Sequence, residues 1–487
     1  MERRVLRSSW LTWLSILLVF SLLAAACNDN DDGGEASNQE TPASGPADTE
    51  IRLGIMGECE GPFGAFHEDV VAGATLAFIN LAGATSESDT TAVDGFTGAE
   101  VAGLPIELVG IGCGNDSADR AIEEVTKLVE ENDANVVIGP LSGDEGIAVA
   151  NYAKDHPEVT FFDGISGAQE ATLKVQAPNF FRFHGEGAQW NAGIGDILHN
   201  EAGWDTAAVI ADDYGFGWTS AAGFIADFCA VGGEVTTRVF PPLGTTDYSS
   251  FIQQLPDPDE VDGYFWVVGG TGTQAALEAF VNGKGDLTGD QHAGNLFFNP
   301  SLAQALGPAI AGAYIGGFAT LPGDIKTPEI EEYLATADAA WTTLGGGLTG
   351  GEPDKPSVAA GFGFFYGYYS GGYALLTALE QVDGDLSNNH EALRAALSDL
   401  TINPGYGELS LDENRHAVSD TYIAQLVEKD GEVVQETKYI VPGVDQSFGG
   451  TFTEDTPELG RDFPDCVEAD LPWVGNEIPV EGGVPQG

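Results

Sequence analysis

Ser142 and Gly143 stand between an apolar run that reads as a strand, 135–138, and a stretch with helical spacing, 144–154. Free backbone amides at such a helix start favour an anionic group. Ser142 can equally serve as a simple N-cap, its hydroxyl accepting from the first turn. The spacings that mark common catalytic centres are missing: there is no HExxH, GxSxG, Walker-type loop or GxGxxG, and the 7 His are dispersed. His67-Glu68 lacks the second His of a zinc helix, and no CxxC pair suggests a zinc ribbon or a thioredoxin-like centre. These absences leave an enzyme, a metal site or a cofactor without support in the sequence; an extracellular enzyme with an unfamiliar site is kept as the weaker alternative.

Charge narrows the partners. Against 18 Lys+Arg stand 76 Asp+Glu, a formal net charge of −58. Such a chain repels phosphate backbones, so nucleic acid is excluded as a partner. Anionic lipid surfaces are repelled likewise. A solvated acidic face suited to salty surroundings is the ordinary explanation; a cation-concentrating role is the alternative. At 487 residues with 43% hydrophobic residues, the chain has material for two or three globular units.

The first residues read as an export signal. Arg3, Arg4 and Arg7 precede an uncharged, mostly apolar run, 10–26, that closes on Ala24-Ala25-Ala26-Cys27. The run is short for a spanning helix, and small residues mark a cleavage site. Small residues directly before Cys27 resemble a bacterial lipobox, which implies cleavage there, lipidation of the Cys27 thiol and anchoring at the outer face of the membrane. Residues 27–49 are polar, acidic and rich in Gly, Pro and Ser, and are expected to form a flexible tether.

Beyond residue 50, strands and helices alternate. Strands are predicted at 51–56, 104–111, 135–138 and 159–163, with helices at 68–81, 117–131 and 144–154 between them. The rhythm then restarts: strands at 207–211, 234–240, 263–268 and 295–298, and helices at 217–231, 248–255 and 273–282. Alternation of this kind builds parallel sheets covered on both faces, whose ligands lie beyond the carboxyl ends of the strands. Residues 362–379 are apolar and aromatic enough to mimic a membrane helix, but their Gly and Tyr content predicts a buried core helix. Runs at 422–427 and 433–441 flank Lys429-Asp430-Gly431, a hairpin signal.

Several segments resemble the leucine/isoleucine/valine-binding family of periplasmic solute-binding proteins. The opening strand, Gly-Pro turn and helix carry GECEGPFGAFHEDVVAGATLAFIN; NVVIGPLSGDEG resembles the family's Gly-Pro-Leu-Ser stretch; Asp212 to Gly217 resembles its Tyr-Gly turn; and Thr246 to Phe251 matches the helix start that follows. The likeness spans about 50–440. It implies an α/β protein of two Rossmann-like lobes with parallel sheets joined by hinge crossings, the type I periplasmic-binding fold. The lobes would comprise 50–184 with 321–420, and 185–320 with 421–445, followed by an acidic tail, 446–487. Hinges would fall near Phe183, Leu321 and Asp420.

The same resemblance implies an ABC importer's capture subunit for amino acids, branched-chain ones among them, or other small polar solutes. Its partners would be that solute and a membrane permease; a ligand-sensing receptor module of the same fold is the alternative. Carried over by position, the ligand-binding residues are Phe66, covering the pocket, Ser142, Gly143, Ser166, Tyr214, Thr271 and Asn299. The family's ammonium-binding carboxylate would be expected near 298–301, where none stands; either Asn299 or Ser301 is a neutral substitute or the ligand lacks an ammonium, which favours a small polar solute over an amino acid in particular. Four cysteines beyond Cys27 allow three pairings. Cys59 and Cys113 each lie just past a predicted strand, so adjacent parallel strands would join them; Cys229 and Cys466 remain for the second bridge.

Overall fold

The computed structural model describes residues 48–295, 300–317, 324–344, 354–460 and 462–486. Cys27, Leu321 and Asn299 lie outside them.

The first sheet contains β1 (Ile51–Glu58), β2 (Ala99–Val101), β3 (Leu104–Gly114), β4 (Val136–Ile138), β5 (Thr160–Phe162) and β6 (Phe180–Phe181), in the order β2-β3-β1-β4-β5-β6. All neighbours are parallel except β2 and β3. Its central strand β1 is covered on both faces, which is why IRLGIMGE reads as a nearly continuous apolar run rather than an alternating one.

The second sheet repeats the plan with β7 (Thr206–Ala211), β8 (Glu234–Val239), β9 (Gly263–Val267), β10 (His292–Gly294) and β11 (Tyr314–Gly316), parallel in the order β8-β7-β9-β10-β11. Antiparallel β12 (Ala417–Lys429), β13 (Glu432–Val444), β14 (Ile478–Glu481) and β15 (Val484–Pro485) extend it. The β12–β13 hairpin turns at Asp430 (φ 55°) and Gly431 (φ 87°), the pair of left-handed residues a tight hairpin needs.

The helices used below are α1 (His67–Ala82), α2 (Ala118–Thr126), α3 (Gly143–Ala153), α4 (Gly215–Ala230), α5 (Gly272–Lys284) and α6 (Gly363–Gln381). Ser117 caps α2 by accepting from the Arg120 amide, and α1 stops at left-handed Gly83 (φ 68°). The apolar segment around 362–379 is α6, buried along almost its whole length against α1. Gly73 makes that crossing possible: a Cβ there would stand 2.1 Å from the Phe365 carbonyl oxygen. Among the described residues no helix is long and apolar enough to cross a membrane.

Of the strand expected at 295–298, residues 296–298 lie outside those described; β10 ends just before it, at Gly294. His-Ala-Gly has little strand character of its own; register holds it, with His292 opposite Tyr264 and its ring accepting from the Trp266 indole at 2.9 Å. The segment expected as a tail is folded onto the body. Phe448, Phe452 and Trp473 are buried, β14 pairs with β13, and Cys466 is bonded to Cys229. The second bridge joins Cys59 to Cys113, and the Cα atoms are 5.1 Å apart in both.

Chain crossings between the sheets are stitched by side chains. The Gln189 amide donates to the Ala417 and Val444 carbonyls at 2.9 and 2.8 Å, and Thr421 donates to the Gln189 carbonyl at 2.9 Å. Beside Phe183, the Arg182 amide donates to Arg415 at 3.0 Å.

Candidate functional site

The two sheets point the carboxyl ends of their parallel strands at one another. On one side Glu58 ends β1, Asp116 follows β3 and Ser142 follows β4; on the other Asp212 follows β7, and Gly269 to Thr271 follow β9. The gap between them is bridged directly. At one end the Thr271 amide donates to the Pro62 carbonyl at 3.2 Å. At the other the Gly215 amide donates to Asp144 Oδ1 at 2.9 Å, and the Gly187 amide to the Gly167 carbonyl at 3.0 Å.

What lines the gap is acid and hydroxyl. Glu58 Oε2 accepts from the Asp116 amide at 3.2 Å, Asp116 Oδ2 from the Phe63 amide at 3.1 Å, Glu145 Oε1 from the Asn115 amide at 3.1 Å and Asp212 Oδ2 from the Gly269 amide at 2.9 Å. The second oxygens of Asp116 and Asp212 are buried without a partner, as are the hydroxyls of Ser142 and Tyr248, while the Glu58 and Glu145 carboxyls bond to each other as an acid pair. Groups left in that state inside a protein are costly unless something else bonds them. They belong to one electrostatic neighbourhood: Asp116 is felt by Asp212 across the gap, and Tyr214 by Asp212, Asp116, Asp144 and Glu58.

Burial raises every one of these acids, and a neighbouring acid adds to it for all but Asp144. Burial, then the Glu58 charge, pushes Asp116 up to about 8. Burial, then Asp116, pushes Asp212 up to about 8. Glu58 is raised well above the carboxylate range by burial and then by Glu145, and burial raises Glu145 and Asp144 too. Beside Glu58, burial lowers His67, whose Nδ1 lacks a partner; across the gap, burial raises the phenols of Tyr214 and Tyr248. Among the described residues no Lys, Arg or His is ion-paired with any of the five acids.

A pH dependence follows. Both aspartates are protonated in the closed, empty gap and ionise near pH 4 once exposed, so closure takes up protons. Below about pH 4 the two forms do not differ in charge here; from there to about pH 8 the closed form loses ground steadily as pH rises. Small-angle scattering of ligand-free protein should therefore give a larger radius of gyration at about pH 9 than at about pH 5. An unchanged radius would detach these carboxyls from closure.

The residues singled out from sequence divide into groups. Ser142 holds the N-cap position of α3, but its side chain makes no capping bond, and it sits beside Asp116 without completing a hydrogen bond. Gly143 and Tyr214 also lie where the sheets meet: a Cβ on Gly143 would come 2.7 Å from the Phe216 backbone nitrogen. Thr271 is exposed at the rim and takes part there through its amide. Phe66 packs away from the acids, stacked on Phe362 and edge-on to Phe364.

The Ser166 hydroxyl is engaged elsewhere, donating to Asp163 Oδ2 at 2.6 Å and accepting from Arg182 at 3.2 Å in a fully buried network. Sequence reasoning missed Glu58, Asp116, Glu145, Asp212 and Tyr248. Glu58, Asp116 and Asp212 each stand at or just past a strand's carboxyl end, which was the available signal.

With this geometry in hand, comparison places the chain among known proteins. Residues 50–432 match the family model described as periplasmic binding protein. A curated relative named Leu/Ile/Val-binding protein homolog 6, from Brucella melitensis biotype 1, is 25% identical over 225 residues, 45% of this chain and 53% of the relative. The chain thus spans about half the length of the curated relatives it matches. Among solved structures, an ABC transporter substrate-binding protein from Sphaerobacter thermophilus superposes with a TM-score of 0.65 at 23% identity, over 82% of this chain and 99% of that one. A solute-binding protein of an R. palustris ABC transporter, in complex with benzoate, gives 0.64 at 20% identity over 81% and 97%.

Proposed function

This chain belongs to the periplasmic binding protein family, and from that membership we propose that it is the extracytoplasmic capture subunit of an ABC transporter, closing two α/β lobes around a small polar solute. The lobes are built on the two sheets, with hinges at the crossings near Phe183 and Asp420. Lipidation of Cys27 tethers the protein outside the membrane, and the loaded, closed form docks on a permease. The named relatives are a Leu/Ile/Val-binding homologue and a benzoate complex, so kinship alone leaves amino acids and aromatic acids both in play.

One observation carries the reading: buried, unpartnered polar atoms from both sheets face a single gap whose ends are already bridged. A site for a small solute needs such a shell, preformed and divided between two bodies that move. The test is a thermal shift screen over amino acids, amides, urea, amines and aromatic acids. A ligand at about 100 times its Kd should add about 2.7 kcal/mol to folded-state stability and raise Tm. A panel of that breadth producing no shift would overturn the proposal.

A further inference from the structure

The gap is acid from both sides. Glu58, Asp116, Asp144 and Glu145 come from the first-sheet side and Asp212 from the second, and none is ion-paired with a described basic residue. The unpartnered atoms of Ser142 and Tyr248 are hydroxyls, able to accept as well as donate. An anionic ligand would find no basic side chain paired with these acids to balance its charge and would require the carboxyls to stay protonated, whereas a cation is stabilised by their ionised form.

The one feature suited to an anion is already filled. The amide of Ser142, at the start of α3, is directed to the chain's own Glu58, and the first turn of that helix carries Asp144 and Glu145. A ligand carboxylate arriving there would compete with an internal one. Among the described residues no group of three His, Cys, Asp or Glu side chains is placed to hold a metal ion. What remains is an organic cation, whose N–H groups can satisfy several acceptors at once.

Resting on the reading of this gap as the solute site, we propose that the solute is an amine with net positive charge and no carboxylate of its own, clamped between Asp116 of one lobe and Asp212 of the other. The cation takes the place of the protons these carboxyls hold when the gap is empty. A cation entering the closed gap therefore releases those protons, and affinity for that form rises with pH across the range in which the two aspartates titrate. Glu58, His67, Asp144 and Glu145 border the same space from one side and bear on this pH dependence, while burial keeps the Tyr214 and Tyr248 phenols on the other side protonated throughout.

Matched series separate charge from shape. Isoamylamine, leucine and isocaproate share one frame as cation, zwitterion and anion; tyramine, tyrosine and phloretate share another; putrescine adds a dication and calcium chloride a metal. Titration calorimetry on the full mature chain should show an amine binding at least about tenfold tighter than its zwitterion and anion, and tighter at about pH 8 than at about pH 6. Asp116→Asn and Asp212→Asn should each weaken the amine by about tenfold or more, with melting curves confirming that both variants fold. A zwitterion or anion that binds tighter than its amine, or calcium binding in place of amines, overturns this inference and leaves solute capture standing. Silence from every solute, including the wider screen, overturns both.

Discussion

Replacing Arg182 with Leu is expected to cost about 3–5 kcal/mol of folding stability, among the largest losses any single substitution in this chain should produce. Arg182 and Asp163 are both fully buried, their charges paired at 2.9 Å. The guanidinium also donates from Nε to Asp163 at 3.0 Å, to the Ala168 carbonyl at 2.9 Å and to Ser166 at 3.2 Å. Burial would raise the Asp163 carboxyl, but Arg182 and then His184 hold it below its ordinary value. Removing the guanidinium leaves a buried acid without its counter-charge and unsatisfied acceptors around it. Chemical denaturation should show the loss, and Arg182→Leu with Asp163→Leu should recover a good part of it, because the second change removes the stranded acid. Arg182→Leu melting like the wild type would mean that the network contributes nothing.

The second large effect falls on closure rather than on folding. Gly143→Val should leave the lobes intact and hold them apart. The added Cβ would meet the backbone nitrogen of Phe216 at 2.7 Å, and backbone cannot rotate aside as a side chain can. Overpacking of this kind costs up to about 3 kcal/mol, or about 100-fold in the population of the closed form. The ligand-free radius of gyration should rise and solute affinity should fall by about that factor, with Tm reduced only modestly. Wild-type affinity in this variant would show that Gly143 and Phe216 do not meet in the loaded form.

The architecture was legible because it is written in local periodicity. The runs that became β1, β4 and β7 are short and apolar, α2 shows its buried face at helical spacing, and α1 and α6 are apolar nearly all round, as helices packed against each other in a core are. Residue chemistry was less legible, for a physical reason. Ser166 looks like a ligand residue in a loop after a strand, yet its partner Arg182 comes from another strand, and only the folded chain reveals that the hydroxyl is engaged. Asp116 and Asp212 look like ordinary polar loop residues. Their burial, and each one's effect on the other, depend on two sheets meeting across a gap that no window of sequence contains. The tail misled in the same way: its acidic, Pro- and Gly-rich composition hides Phe448, Phe452 and Trp473, whose burial depends on a surface made by distant residues. The Trp473 indole donates to Asp227 at 2.6 Å, and that carboxylate in turn holds the amides of Gly193, Gly195 and Asp196.

The last short strands bear on self-association. A long sheet usually ends in a rim of open donors and acceptors on which a second molecule can template itself. Here the outermost ladder is the pair Val480–Pro485 and Glu481–Val484, only two residues deep, folded back through Gly482 and Gly483. Proline has no N–H to offer a neighbour, and a carboxylate beside it repels a copy of itself. The larger sheet is thereby closed to templated pairing at this rim; its opposite rim is β8.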